Sequence, residues 1–305
     1  MHAWRESNPL MPNISASAAG TVTLGNDLTV NRLGFGAMRI TGEGIWGEPR
    51  DRAECMRVLK RLLDLDVNFI DTANAYGPEV SENLIAETLH PYPKGLVIAT
   101  KGGLTRQGPN QWAPVGRAEY LRESVEMSLR RLKVDRIDLY QLHRIDPKVP
   151  AEESLGELKK MQQEGKIRHI GLSEVNVAEI KAAQKIVPVV SVQNKYNLSD
   201  RSHEEVVEYC TKNKLAFIPW FPLEAGELTR PGGVLDSVAK SHNATTSQLA
   251  IAWLLRRSPL MLPIPGTSRV DHLEQNVASA SLRMSDSEWN AIEDSVRQSE
   301  SRVAS

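Results

Sequence analysis

The sequence predicts an α/β fold: a closed (β/α)8 (TIM) barrel with an N-terminal β-hairpin and one extra C-terminal helix. Three observations carry this. Short apolar runs alternate with longer amphipathic stretches along the chain, eight of each. No Pro/Gly/Ser-rich linker divides the middle, so one domain is expected over residues 21–305, behind a flexible leader of residues 1–20. The 305 residues are 41% hydrophobic and 25% charged, enough for one large core.

The elements follow in order. Residues 21–24 and 28–30 flank Gly25-Asn26-Asp27 and read as a hairpin that could plug the bottom of the barrel. Runs at 32–36, 67–71, 96–100, 137–142, 169–172, 189–193, 216–220 and 260–264 have the length and branching of buried parallel strands. Helical periodicity fills 51–66, 81–89, 119–132, 152–164, 176–185, 203–212, 246–256 and 270–280. In the first of these, Cys55, Val58, Leu59, Leu62 and Leu63 share one face. Residues 285–297 add the last helix, with Ser285 as N-cap and Glu288 completing a capping box.

Composition excludes several classes of partner. A formal net charge of −1 gives no pull toward nucleic acid or an anionic membrane. No run nears the roughly 18 apolar residues of a membrane span. Cys55 and Cys210 lie outside any CxxC, so neither a metal ribbon nor a disulfide framework is expected. Two isolated thiols suit a cytoplasmic protein. The first 20 residues lack the charged-then-apolar order of a secretory signal. No nucleic acid, membrane or metal partner is therefore expected.

In such a barrel, chemistry sits at the C-terminal ends of the strands. Three neighbouring runs end in Asp71, in Thr100-Lys101 and in Leu142-His143, and Tyr76 follows in the loop after Asp71. The set fits carbonyl reduction. A carbonyl that accepts hydride on carbon must take a proton on oxygen. A free tyrosine, with a pKa of about 10, is a poor acid near neutrality. A lysine ammonium beside it stabilises tyrosinate and makes it a better one. Asp71 can orient Lys101, and a neutral His143 can hydrogen-bond the substrate oxygen. Each residue alone has a plain structural reading: a turn former, a surface charge, a packed histidine, a turn tyrosine. Their convergence at successive strand ends argues for function.

The text Asp71-Thr72-Ala73-Asn74-Ala75-Tyr76-Gly77, then Thr100-Lys101, then Leu142-His143 resembles the aldo-keto reductase family from Leu33 to about Ala280. The resemblance implies Tyr76 as general acid, with Asp71, Lys101 and His143 completing a tetrad. The stretch Leu33-Gly34-Phe35-Gly36-Ala37-Met38, with the loop at 44–49, resembles a bacterial branch associated with pyridoxal-type reduction.

One motif is set aside. Gly42-Glu43-Gly44-Ile45-Trp46-Gly47 matches GxGxxG in letters. It neither follows a strand directly nor opens a helix. It reads as a mobile rim loop, with Trp46 either lining the pocket or lying on plain surface.

A better phosphate site is Gly266-Thr267-Ser268-Arg269, between the eighth run and the helix after it. By resemblance, Arg269 holds the 2′-phosphate of NADPH/NADP+, which favours that cofactor over NADH, and Asn276 contacts adenine. Gln275 stands where the family commonly has an acid, and His272 where many members carry a second base. Ser173 and Gln193, closing the fifth and sixth runs, suit the nicotinamide carboxamide, and Trp220 suits its ring. Glu174 replaces the asparagine usual after that serine. The loop Pro222-Leu223-Glu224-Ala225-Gly226-Glu227-Leu228 suits the pyrophosphate through backbone groups, although its glutamates oppose the approach of an anion. Gly36 and Met38 join the cofactor wall, and Arg39, Trp46, Gln111 and Trp112 the rim.

The expected partner is a small-molecule carbonyl; Arg39 and Arg144 could attract an anionic group on it, but the plain reading of each as a solvated charge stands ahead of that. Two rivals stay open: a barrel aldolase with Lys101 as Schiff base, and an NADPH-binding redox-sensing subunit without turnover.

Overall fold

The computed structural model describes residues 14–223 and 231–303. Part of the segment read as a loose leader is instead pinned. Ala16–Ala19 forms one 3-10 turn, and the buried Ala16 donates its N–H to the Leu65 carbonyl at 2.8 Å. The Ser15 hydroxyl donates to Asp66 at 2.6 Å. The apolar Ala16 finds core and its backbone finds an acceptor, so this stretch does not behave as a polar tail.

Strands β1 (Thr21–Leu24) and β2 (Leu28–Asn31) pair antiparallel, with Leu24 opposite Leu28. Gly25 turns between them at φ +62, where a side chain would strain. Burial alternates along both strands. Val22, Leu24, Leu28 and Val30 pack in one cluster with Phe69, Val97, Leu139, Val190, Ala216 and Leu262. Those residues come from the whole width of the main sheet, so the sheet curls around the hairpin's apolar face.

The main chain path is β3 (Phe35–Gly36), α1 (Arg52–Asp64), β4 (Phe69–Asp71), α2 (Val80–Leu89) and β5 (Val97–Gly102). A second hairpin, β6 (Leu104–Gly108) and β7 (Gln111–Pro114), follows at the rim. Then come α3 (Ala118–Leu132), β8 (Ile137–Leu142), α4 (Ala151–Gln163), β9 (Ile167–Ser173), α5 (Val177–Gln184), β10 (Val189–Gln193), α6 (Glu204–Asn213) and β11 (Ala216–Phe217). Four helices close the path: α7 (Val234–Ser241), α8 (Thr246–Arg257), α9 (Val270–Ala278) and α10 (Asp286–Val303). Neither the β6–β7 hairpin nor α7 follows from the periodicity of the sequence.

Seven strands form one parallel sheet in the order β3-β4-β5-β8-β9-β10-β11. The helices cover its outer face, which is why the strands read as unbroken apolar runs. Residues 260–264 form no regular strand, because Pro263 and Pro265 lack N–H donors. They still bond on both sides. Leu262 N–H donates to the Phe217 carbonyl at 2.8 Å, and Gly34 N–H donates to the Pro263 carbonyl at 2.9 Å. The segment thereby bonds to β11 on one side and to the residue before β3 on the other. The run expected at 32–36 is regular only at its last two residues, and that at 216–220 only at its first two.

Helix ends are set by sequence-local chemistry. The Asp51 carboxylate accepts from Glu54 N–H at 2.8 Å, and full capping boxes open α5 (Asn176 with Glu179) and α8 (Thr245 with Gln248). Ser285 and Glu288 make the same reciprocal pair before α10. Helix α10 is anchored by a stack of Trp289 on Trp253 at 5.7 Å. Glu293 accepts from the Trp253 indole at 2.8 Å and from both Arg201 amino groups. No helix among the described residues is long and apolar enough to cross a membrane.

Arg32 closes the other end of α8. It donates to the carbonyls of Leu255 and Ser258 at 2.6 Å each and of Met261 at 3.3 Å. A cation at a helix C-terminus meets carbonyls that the helix leaves unpaired. Arg32→Ala should lower stability by about 2 kcal/mol, by the worth of charged hydrogen bonds. A lower urea midpoint with an unchanged slope is the expected result.

Candidate active site

Parallel register brings the polar strand-end residues to one level. Asp71 ends β4, Lys101 lies opposite Gln141 across β5 and β8, and Gln193 ends β10 opposite Ser173 of β9. The turn after β4 carries Tyr76 back over them. It depends on Gly77 at φ +107, where an added Cβ would lie 2.4 Å from the Val80 Cβ.

Lys101 is fully buried and spends all three ammonium protons. It donates to Asp71 Oδ2 at 2.5 Å, to the Thr72 carbonyl at 2.9 Å and to the Tyr76 hydroxyl at 3.2 Å. The second Asp71 oxygen accepts from the amides of Gln141 and Gln193, both at 2.9 Å. Gln193, expected at the carboxamide, thus has its amino group committed to Asp71. Gln141 was not singled out from the sequence. Its only signal there is an amide inside an otherwise apolar buried run, which needs a partner.

His143 packs edge-on to Tyr76, with ring centroids 5.9 Å apart, and Trp112 stands edge-on to both. The buried Nδ1 of His143 has no hydrogen-bond partner among the described residues. Burial, helped by the positive charges of Lys101 and Arg144, holds the imidazole well below its ordinary pKa, so the ring is neutral. Burial acts against the Lys101 ammonium, but Asp71 and Tyr76 outweigh it and its pKa stands above the ordinary value. For Tyr76 the balance goes the other way from the sequence expectation. Burial raises the phenol above its usual value, and Lys101 offsets only part of that rise. The lysine lowers the cost of tyrosinate without making it the resting state.

A cavity of ≈ 760 Å³ opens above these groups. Its wall includes Gly36, Met38, Trp112, Ser173, Trp220 and Leu223. Pro222 and Gly266 also line it, whereas Gly226 lies outside the described residues. Gly36 and Gly266 meet so closely that a Cβ on Gly266 would lie 2.4 Å from the Gly36 carbonyl oxygen.

The rim differs from the mobile loop expected at Gly42–Gly47. Arg106, on the rim hairpin, ties three loops together. It donates to the carbonyls of Ile45 at 2.6 Å, Ala75 at 2.8 Å and Gly44 at 2.9 Å. It also stacks 3.7 Å over the Trp112 ring and 5.6 Å from that of Trp46. Trp46 itself is among the exposed large apolar residues.

Around the expected nicotinamide end, Ser173 Oγ accepts from Arg144 at 3.1 Å. Glu174 has turned into the left-handed region at φ +55. Its carboxylate accepts from the Trp220 indole at 2.5 Å and from Lys195 N–H at 2.7 Å. Burial acts to raise its pKa, but hydrogen bonds from His203, Trp220 and Lys195 pull it below the ordinary value. Glu174 therefore braces Trp220 instead of offering a free acceptor.

At the expected phosphate end, Ser268 and Arg269 are exposed and Thr267 is buried, with Thr267 Oγ1 accepting from Arg269 N–H at 3.1 Å. Arg269 pairs with Asp271 at 2.9 Å. The first N–H of α9, on Val270, is taken by the Glu54 carboxylate at 2.9 Å. That contact crosses from α1 and is invisible in the local sequence. Asn276 is buried, while Gln275 and His272 are exposed.

Cys55 and Cys210 are buried free thiols, with pKa pushed up by burial to about 11 and about 12. Among the described residues no group of three or more His, Cys, Asp or Glu could hold a metal ion.

Residues 32–297 match the model of the Aldo/keto reductase family. The chain belongs to that family and is an NAD(P)H-dependent oxidoreductase. It is 56% identical over 298 residues to an uncharacterized oxidoreductase of Schizosaccharomyces pombe, covering 96% of this chain and 97% of that one. It is 42% identical to pyridoxine 4-dehydrogenase of Escherichia coli, over 88% of this chain and 96% of the relative. That relative matches the pyridoxal-type resemblance of the first strand and loop. Among solved structures, the thermostable aldo-keto reductase Tm1743, in complex with the inhibitor epalrestat, superposes with a TM-score of 0.80 at 30% identity, over 90% of this chain and 99% of that one.

The buried imidazole has a measurable consequence. Above pH ~6.5 the histidine is neutral in both folded and unfolded chains. Below that value the unfolded chain binds a proton that the folded ring refuses, so stability falls as pH drops. His143→Gln removes this component. The difference in urea midpoint between about pH 7.5 and about pH 5.5 should be smaller in the variant than in the parent.

Proposed function

We propose that this protein reduces the carbonyl of an aldehyde or ketone to an alcohol on a single closed (β/α)8 barrel domain, using NADPH. The observation that carries the reading is Lys101, bonded at once to Asp71, the Thr72 carbonyl and the Tyr76 hydroxyl beneath a large cavity. The bonds of residues 260–264 to Phe217 and Gly34 support the closed barrel.

The bound cofactor supplies the hydride that adds to the carbonyl carbon. Tyr76 gives its hydroxyl proton to the carbonyl oxygen as the carbon–hydrogen bond forms, leaving an alcohol and a tyrosinate. Lys101 carries the charge that this tyrosinate needs, and Asp71 keeps the ammonium in place. Neutral His143, which lines the cavity beside Tyr76, holds the substrate oxygen near the phenol. The apolar wall and Trp112 exclude water from the reacting atoms.

The residues present fit a dinucleotide. Ser173 receives Arg144 on its oxygen, which leaves the hydroxyl proton for a carboxamide. Trp220, braced by Glu174, offers a ring face. Gln193 supports this end through its bond to Asp71. Gly36, Met38, Pro222, Leu223 and Gly266 form the wall for the middle of the cofactor. Thr267, Ser268 and Arg269 hold the 2′-phosphate, with Arg269 exchanging Asp271 for it, and Gln275 and Asn276 flank the adenine. A Schiff base on Lys101 is disfavoured, because the amine is buried with three acceptors and is held charged. The 42% identity to pyridoxine 4-dehydrogenase makes pyridoxal the first carbonyl to try.

Tyr76→Phe should cut kcat for pyridoxal and simple aldehydes by about 10²–10⁴-fold, the usual worth of a positioned general acid. NADPH binding, read by fluorescence quenching, should persist. A parent protein that binds NADPH tightly yet consumes none with any carbonyl would be a sensing subunit instead. Arg269→Ala should raise KM for NADPH by about tenfold or more, the worth of one charge-assisted pair, and leave KM for NADH nearly unchanged.

A further inference from the structure

Among the described residues of the cavity wall, Arg144 is a charged group that the reduction uses only through one bond to Ser173. It follows His143 just beyond β8 and lines the cavity beside Tyr76, Trp112 and Ser173. Among the described residues its bonds all come from one nitrogen. Nη1 donates to the His143 carbonyl at 2.6 Å and to Ser173 Oγ at 3.1 Å. Among the described residues, no bond is made by Nη2 or Nε, and no carboxylate lies within 4 Å.

Other enclosed arginines are compensated differently. Arg201 holds Glu293, and Arg257 holds Glu204 and Glu208. Arg32 and Arg106 have no carboxylate but cap three and five carbonyls. The acid that acts on Arg144 is Glu174, and its carboxylate is already engaged by Trp220 and Lys195. Lys101 and Asp71 cancel each other in the floor. Beyond that pair, the charged side chains among the described lining residues are Arg144 and Arg39.

A half-enclosed guanidinium without a counter-ion is costly, and a ligand anion relieves it. The cofactor does not supply one here, because the Ser173 end is assigned to the neutral carboxamide and the phosphates to the far end. We propose that Arg144 is a subsite for an anionic group on the carbonyl substrate, a carboxylate or a phosphate close to the reducible carbonyl. Its free Nη2 and Nε edge offers two parallel donors, the geometry such anions prefer. The inference rests on the reductase reading above.

The test compares matched pairs at saturating NADPH: benzaldehyde with 4-carboxybenzaldehyde, and glyceraldehyde with glyceraldehyde 3-phosphate. In the parent, the anionic member of at least one pair should have the higher kcat/KM. Arg144→Met should lower the anionic-to-neutral ratio of kcat/KM by about 10- to 100-fold, chiefly through KM, as lost charged hydrogen bonds do. Arg144→Lys should restore part of it. Whichever pair responds tells carboxylate from phosphate. An unchanged ratio in both pairs, or a loss of NADPH affinity of the same size, overturns the proposal. If the parent reduces no carbonyl at all, the reductase reading fails separately. The subsite is then read by benzoate quenching of tryptophan fluorescence in the NADPH complex, which Arg144→Met should abolish; quenching that survives unchanged overturns it.

Discussion

The site depends on a lysine ammonium held inside a protein core. Isolated, such a charge would shed its proton. Here it has a carboxylate, a carbonyl and a phenol as acceptors, one for each N–H. The carboxylate is in turn held by two strand amides, Gln141 and Gln193. These groups come from four strands and one turn. Only a parallel sheet in a fixed register brings them to one point. The network therefore ties the chemistry to the integrity of the sheet, and a half-satisfied version of it would be worse than an apolar core.

The same logic recurs around the cavity. Arg106 ties the loops after β3 and β4 to the hairpin after β5 by donating to carbonyls, with two tryptophans against its faces. Glu174 holds the indole of Trp220. Arg106 and Glu174, both half-buried, thus each hold an aromatic side chain at the cavity mouth. Arg144 is the exception, with three of its five N–H donors uncommitted among the described residues. In the proposed subsite the anion of a substrate engages those donors.

Much of the fold was legible because burial on both faces forces long apolar runs, and helices between them must show a 3.6-residue period. The capping pairs at Asn176, Thr245 and Ser285 are local, so they too were open to reading or needed little else. The irregular pieces were not. The β6–β7 hairpin has no apolar alternation of its own, because it is held by Arg106 rather than by a core. The strands at 32–36 and 216–220 are shortened by their neighbours, and the 260–264 run is interrupted by prolines. The loop at Gly42–Gly47 looked free only because its anchor lies some sixty residues away.

The sequence by itself determined which residues stand at the strand ends: Asp71, Lys101 and His143, with Tyr76 in the following turn. Order along a strand is a one-dimensional property, and parallel strands end on the same side. Tertiary structure alone decided how those side chains share protons and charge. It placed Gln141 and Gln193 on Asp71, left His143 Nδ1 without a partner among the described residues, and let burial outweigh Lys101 at the Tyr76 phenol. It also set Glu54 at the start of α9 and Asp271 on Arg269. Hydrogen bonds and desolvation depend on distances of a few ångströms between residues far apart in the chain, and no spacing of letters encodes those.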